Sequence, residues 1–133
     1  MTARRDLLLA LPAIAVALGV LSPRMAGAEM FGPEFRVCQE QARDPQVLAC
    51  LAQRTKAWEA RLATELRALP TRLDPDQRAP QAKAQQAWER FRDANCAVYA
   101  ARDGSIRTIQ AAECRRAMTE ARAEDIARLM RDE

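Results

Sequence analysis

The sequence predicts an all-α protein: a small antiparallel helical bundle of three long helices and a short N-terminal helix, tied by two disulfides. After residue 28 the chain is rich in Ala, Arg, Leu, Gln and Glu, which favour helices, and it has only two glycines, Gly32 and Gly104. Its apolar residues recur every three or four positions, the spacing of one helix face. Its 133 residues include four cysteines, an even number that suits paired disulfides in one small domain.

Residues 1–28 have the pattern of an export signal. Arg4-Arg5 precedes an apolar run from Leu7 to Leu21, and Ala26-Gly27-Ala28 provides a small-x-small cleavage site. Because this run is shorter than the ~20 residues that span a membrane, a cleaved signal is favoured over an uncleaved anchor. The paired arginines also resemble a twin-arginine signal, although the pattern favours the Sec route. We expect a periplasmic or secreted protein with a mature domain at 29–133 and no stable membrane anchor.

The charge of the mature chain argues against a nucleic-acid partner. Without residues 1–28, which hold three Arg and one Asp, 18 basic and 17 acidic residues remain, a net charge of +1. The pI of about 8.9 therefore belongs largely to the signal. Nucleic-acid binding needs a clustered excess of positive charge, which this balance does not supply.

Two helices are predicted before residue 70. A short first helix spans Pro33 to Ala42. Asp44-Pro45 is a typical helix start, so the second helix is expected to run from Pro45 to about Leu69 and to end at Pro70. Its apolar stripe contains Leu48, Leu51, Thr55, Trp58, Leu62, Leu66 and Leu69.

The third helix is predicted from Gln81, or from the capping sequence Asp74-Pro75-Asp76-Gln77, in which case Pro80 lies in or near its first turns. We expect one face of this helix to carry Ala84, Trp88, Phe91, Asn95 and Val98. Both tryptophans are predicted to be core residues rather than a ligand platform, because large aromatic side chains dominate small cores.

Arg102-Asp103-Gly104-Ser105 is predicted to be a turn in which Gly104 adopts a left-handed conformation. The last helix is expected from about Thr108 to about Arg131, with a core face of Cys114, Met118, Arg122, Ile126 and Leu129. Arg122 is unusual on such a stripe. It is predicted to pair with Asp93 or Glu89, and the alternative is a binding residue at a cleft.

Cys38, Cys50, Cys96 and Cys114 are predicted to form two structural disulfides. Of the three possible pairings we favour Cys38–Cys50 and Cys96–Cys114, because each ties two neighbouring helices across one turn. A four-cysteine zinc site and a redox pair are the alternatives. The chain has no C-x-x-C motif, and its cysteine gaps do not fit metal-ligand spacing.

The sequence contains no histidine, which excludes a Ser-His-Asp triad, a Cys-His pair and histidine metal ligands. Its acidic residues alternate with arginines on helix surfaces, which is typical of solvated ion pairs. It has no glycine-rich phosphate loop and no cluster of metal ligands. We therefore predict a non-catalytic protein without a cofactor or metal.

One run of residues resembles a known family. The run is Gln85-x-x-Trp88-x-x-Phe91-Arg92-Asp93-Ala94-x-Cys96, followed by Gly104-Ser105, Cys114 and Thr119-x-x-Arg122. It resembles the LprI-like lysozyme-inhibitor family of exported bacterial proteins, over roughly Cys38 to Leu129. The resemblance implies an exported helical fold and a partner such as lysozyme or another peptidoglycan hydrolase. It also implies structural roles for the motif residues Gln85, Trp88, Arg92, Asp93, Gly104 and Arg122.

The turn at Gly104 is the candidate binding element. Lysozyme acts through two carboxylates in a cleft, and a blocking loop would offer them a guanidinium or a hydroxyl. Arg102, Ser105 and Arg107 provide these groups around the turn. The alternative is a plain helix-helix turn with solvated charges. The alternative function is a structural or protein-interaction module of the envelope without activity towards lysozyme.

Overall fold

A computed structural model of the protein describes residues 30–40 and 43–131. The described chain contains four α-helices and no strand, which confirms the all-α prediction. The predicted signal, residues 1–28, lies outside the described residues. The helices are α1 (Pro33–Gln39), α2 (Asp44–Ala68), α3 (Pro75–Ala100) and α4 (Arg107–Leu129), and a 3₁₀ turn covers Leu69–Thr71.

The helix starts follow from local chemistry. Proline occupies the first turn of α1, α2 and α3, where its missing N–H costs no hydrogen bond and its fixed φ suits a helix. At α3 the backbone N–H of Asp74 donates to Gln77 Oε1 at 2.9 Å, half of a capping box. The early start predicted for the third helix is therefore confirmed, and Pro80 lies inside α3.

The central element of the bundle is α4, against which both α2 and α3 pack, while α1 lies on α2. Two apolar clusters fill the described core. One, near α1, contains Phe35, Cys38, Val47, Leu51 and Ile109. The other, at the opposite end of α2, contains Leu62, Leu69, Leu73, Ala123 and Ile126, with Trp58 and Trp88 packed partly buried against it. No helix within 30–40 and 43–131 is long and apolar enough to cross a membrane.

Both disulfides have the predicted pairing. Cys38–Cys50 joins α1 to α2, and Cys96–Cys114 joins α3 to α4, each with Cα atoms 5.5 Å apart. The zinc alternative does not apply, because all four sulfurs are used in these bonds.

The predicted core face of the third helix is wrong in part. Phe91 is 61% exposed, Val98 is 62% exposed, and Ala84 also faces solvent. The helix is rotated so that Gln85 and Cys96 are buried instead. The reason is that Cys96 must face Cys114 and that the polar side chains on this face find hydrogen-bond partners on α4.

Smaller differences concern the helix ends. The first helix ends at Gln39 rather than Ala42, which lies outside the described residues. The last helix ends at Leu129, and that leucine is 38% exposed rather than in the core. A side chain in a last turn has fewer neighbours to cover it.

Candidate interaction surface at the Gly104 turn

The connection between α3 and α4 is an exposed turn, and residues 101–108 all face solvent. Gly104 lies at its tip with φ +104°, as predicted. A side chain there would be strained whatever the space around it, because L-residues rarely adopt this backbone conformation.

The turn is held on both sides. The Cys96–Cys114 disulfide closes its base, and Ile109, the third residue of α4, is buried in the apolar cluster near α1. The backbone N–H of Ala101 donates to the carbonyl of Ala97 at 3.0 Å. The N–H of Gln110 donates to the carbonyl of Ile106 at 2.9 Å. A turn anchored in this way loses little conformational entropy when it binds.

Arg102, Ser105 and Arg107, the predicted binding residues, are all exposed on this turn. The guanidinium carbon of Arg102 lies 5.1 Å from the ring centroid of Tyr99, which orients the side chain along the end of α3. Arg107 is the first residue of α4, whose first turn contains no acidic residue. A cation at a helix N-terminus is unfavourable for the helix. The charge of Arg107 therefore does not stabilise α4 and is available for a binding partner.

Two apolar residues on the same surface were missed by sequence reasoning. Ile106 is 55% exposed and Phe31 is 42% exposed, and both line a groove of about 240 Å³ beside the turn. We call the surface formed by Phe31, Arg102, Ser105, Ile106 and Arg107 the turn end. One feature of the sequence could have identified Phe31: it is an aromatic residue directly before Gly32-Pro33 that belongs to no apolar stripe.

Phe31 adopts an unusual backbone conformation, with φ +66°. For a bulky residue this costs roughly 1–3 kcal/mol and is found where surrounding contacts enforce it. Its N–H donates to Glu113 Oε1 at 3.1 Å, and its ring packs edge-to-face on Phe35 with centroids 4.9 Å apart. These contacts hold an exposed aromatic ring next to the turn.

A buried ion cluster supports Phe31 from below, and the sequence did not reveal it. Arg116 is 1% exposed and Glu113 is fully buried, and the guanidinium donates twice to this carboxylate at 2.7 and 2.8 Å. Arg116 also donates to Glu120 at 2.6 Å and to Glu34 of α1 at 3.0 Å. Burial alone would lower the pKa of Arg116, but the hydrogen bonds to Glu113 and Glu120 outweigh it and raise the pKa.

Four of the family-motif residues meet along the contact between α3 and α4: Gln85, Trp88, Arg92 and Arg122. Arg122 donates to Gln85 Oε1 at 2.9 Å, and Gln85 in turn donates to Glu89 at 3.1 Å. The guanidinium carbons of Arg92 and Arg122 lie 5.1 Å and 5.9 Å from the centroid of the Trp88 ring. These contacts join α3 to α4 and lie apart from the turn end.

The predicted carboxylate partner of Arg122 is wrong. The side chain binds the neutral amide of Gln85, and no carboxylate of the described chain lies in salt-bridge range of it. Burial lowers the pKa of Arg122, and the nearby charge of Asp125 offsets only part of this effect. The amide suffices because the Trp88 ring face adds a second favourable contact for the cation.

Asp93, another motif residue, lies at the surface between two arginines. Arg92 and Arg115 each approach its Oδ1 at 3.0 Å. Burial acts to raise the pKa of Asp93, but the hydrogen bonds and charges of these arginines lower it overall. Asp93 and Arg115 form part of an alanine-lined trough of about 490 Å³ between α2 and α3, with α4 as its floor.

The turn end combines two guanidiniums, a hydroxyl and two exposed apolar side chains, a composition typical of protein interfaces. Among the described residues no group of His, Cys, Asp or Glu is arranged to hold a metal ion.

The fold and this surface define a small, disulfide-tied helical protein with a rigid, exposed turn at one end. The family model described as lysozyme inhibitor LprI matches residues 38–126. The chain therefore belongs to the LprI lysozyme inhibitor family. No curated protein and no solved structure matches it.

Proposed function

We propose that the protein is an exported inhibitor of a muramidase and that the turn end blocks the enzyme's cleft. The observation that carries this proposal is the exposed, anchored turn with Arg102 and Arg107 on either side of Ser105, in a chain of the LprI lysozyme inhibitor family. Export through the signal predicted at residues 1–28 would bring the protein to the compartment that contains peptidoglycan and its hydrolases.

The chemistry of the two partners is complementary. A muramidase cleft contains two carboxylates that flank the scissile bond. A guanidinium forms short, charge-assisted hydrogen bonds with a carboxylate, often two in parallel. Arg102 and Arg107 offer this group from a turn that is already ordered. Phe31 and Ile106 then provide apolar contacts outside the cleft, and aromatic side chains are enriched in protein interfaces.

Long-range electrostatics contributes little to the association. Common lysozymes are basic, and the mature chain has a net charge of only +1, so no global attraction steers the two proteins together. We therefore expect an ordinary association rate, on the order of 10⁵–10⁶ M⁻¹s⁻¹, with affinity set by slow dissociation.

The test is a peptidoglycan lysis assay with a c-type lysozyme. The full chain is expressed with its own N-terminal segment, recovered after export with its disulfides intact, and titrated into the assay. The first variant carries Arg102→Ala, Ser105→Ala and Arg107→Ala. The matched control carries Arg67→Ala, Thr71→Ala and Arg72→Ala, which removes two exposed arginines and one hydroxyl at the opposite end of the bundle.

We expect saturable inhibition that the turn variant loses and the control variant keeps. Inhibition that survives in both variants would overturn the turn end as the binding site. Absence of inhibition, with both a c-type lysozyme and a bacterial lytic enzyme, would overturn the proposed function. The intact mass of the exported protein tests cleavage after Ala28 in the same preparation.

A second candidate function, a protein-interaction module of the envelope, is favoured by one observation. Phe91 and Val98 expose most of their side chains on the outside of α3. Exposed apolar patches on a small protein often mark protein–protein contacts.

A further inference from the structure

The outward face of α3 carries an apolar stripe with the spacing of a coiled coil. Its residues follow one another at alternating steps of three and four, which places them at the a and d positions of a heptad. All six are exposed: Ala84, Ala87, Phe91, Ala94, Val98 and Ala101, the last of which is the C-cap of α3. We call these six residues the α3 stripe.

The α3 stripe has no role in the packing of the described chain. α3 contacts α4 through the face that contains Gln85 and Cys96. On its other side Asp93 and Ala97 line the trough towards α2. The stripe lies between these two faces along about 27 Å of helix, at 1.5 Å per residue. A partner is therefore able to reach it without disturbing the bundle.

We propose that the α3 stripe is a homodimer interface in which α3 of one copy packs antiparallel against α3 of a second copy. In an antiparallel helix pair an a residue of one chain faces a d residue of the other. Pairing Phe91 with Ala94 of the second copy then also pairs Val98 with Ala87 of the second copy. Ala84 and Ala101 form the outermost layer.

This register fits because every large side chain faces a small one. Phe91 and Val98 each meet alanine, so the two helices remain evenly spaced and the layers interdigitate. A parallel pair would place Phe91 against Phe91 and Ala84 against Ala84, which alternates crowded layers with voids. The antiparallel pair is symmetric, and both copies bury their stripes in the same contact. No stripe is left exposed to bind a third copy, so assembly stops at the dimer.

The charges beside the stripe allow the same arrangement. The flanking e and g positions hold Lys83, Arg90 and Arg102 and no acidic residue. In the antiparallel register Arg90 lies beside Ala97 of the second copy, and Lys83 and Arg102 lie on opposite flanks. No two like charges face each other directly, and the opposed helix dipoles add a small attraction.

A single helix pair buries less than the ~1,200 Å² of a standard interface, so the dimer is expected to be weak, with a Kd on the order of 10–100 μM. This proposal does not depend on lysozyme inhibition. It predicts self-association whether or not the turn end binds a muramidase.

The test is analytical ultracentrifugation of the exported protein from 10 μM to 1 mM. We expect a monomer–dimer equilibrium that Phe91→Glu with Val98→Glu abolishes and that Val37→Glu, at an exposed apolar residue on α1, leaves unchanged. Circular dichroism checks that the double variant is folded. A monomer at 1 mM, or a dimer that the double variant retains, would overturn the proposal.

The relative orientation of the two α3 helices is tested by cross-linking two single variants, Ala87→Cys and Val98→Cys. The four native cysteines are already paired, so only the added cysteines are free to form the cross-link. The antiparallel register predicts a disulfide-linked dimer only when the two variants are mixed and mildly oxidised. Cross-linking within each variant alone would indicate a parallel pair and would overturn the antiparallel arrangement.

Discussion

Arg116 of α4 donates a hydrogen bond to Glu34 of α1 at 3.0 Å, although 82 positions of sequence separate them. Glu34 also accepts from the indole N–H of Trp58 at 3.1 Å and lies 3.4 Å from Arg54, both on α2. One carboxylate of a seven-residue helix therefore joins the two long helices beneath it. Because α1 is too short to be stable alone, these contacts and its disulfide determine its position.

Replacing Arg116 by methionine should be strongly destabilising. The variant leaves Glu113 buried without its cation, and breaking one side of a buried ion pair typically costs about 3–5 kcal/mol. Urea unfolding followed by circular dichroism measures the loss. Replacing Glu113 by leucine in the same chain removes the orphan charge and should recover part of the stability. If the protein with Arg116 replaced by methionine is as stable as the parent, the ion cluster contributes nothing to the free energy of unfolding.

The two disulfides should contribute similarly to stability but differently to inhibition. They close segments with sequence separations of 12 and 18, for which chain entropy predicts roughly 3 kcal/mol each. Replacing Cys96 and Cys114 by serine releases the base of the Gly104 turn, whereas replacing Cys38 and Cys50 does not. We expect the first pair of changes to weaken lysozyme inhibition more than the second at a temperature where both variants are folded. Equal losses would contradict preorganisation of the turn.

The fold was predictable because it depends on patterns formed by residues that are close together in the sequence. Asp44-Pro45 and Asp74-Pro75 mark helix starts, and the leucines of α2 repeat at helical spacing. The disulfide pairing was favoured because each bond would tie two neighbouring helices across one turn, although the sequence alone left three pairings possible. These signals involve residues close together in the chain, so no knowledge of tertiary contacts was needed.

The burial of α3 and α4 was less predictable, because polar residues form much of their contact. Apolar periodicity placed Phe91 inside and passed over Gln85, whose amide is buried against Arg122. It likewise passed over Arg116, since a charged residue is rarely buried unless its partners surround it. Two of those partners, Glu113 and Glu120, lie at helical spacing on α4, but the third, Glu34, comes from α1, and no local pattern shows that α1 covers this pair. Phe31 of the turn end belongs to no apolar stripe, so the same periodicity passed over it as well.

The contribution of Asp93 to folding stability should depend on pH. Its pKa is lower in the folded protein than in the unfolded chain, so the stabilisation is present at neutral pH. It is lost as the pH falls from about 4 through the folded pKa. Asp93→Asn should therefore cost at most roughly 0.5 kcal/mol at pH 7, since the pair is exposed, and less at about pH 2. Parallel urea titrations at both pH values measure this difference, and a larger cost at low pH would contradict the assignment.

Arg107→Glu should raise stability while it lowers inhibition. An acidic residue in the first turn of α4 interacts favourably with the helix dipole, which is worth about 0.3–1 kcal/mol, or a rise in Tm of roughly 2–5 °C. The same change replaces a guanidinium by a carboxylate opposite the proposed acidic cleft, so inhibition should fall at least tenfold, about 1.4 kcal/mol. Thermal unfolding and the lysis assay are measured on one preparation.

The matched control for this change is Arg128→Glu in the last turn of the same helix. There the added negative charge meets the negative end of the dipole and removes the ion pair with Asp125. We therefore expect a lower Tm and unchanged inhibition, the opposite of the result at Arg107. If Arg107→Glu stabilises the protein and inhibition remains at the parent level, the turn end does not contact the acidic groups of the enzyme. If both variants lose inhibition equally, the effect comes from net charge rather than from the position of Arg107.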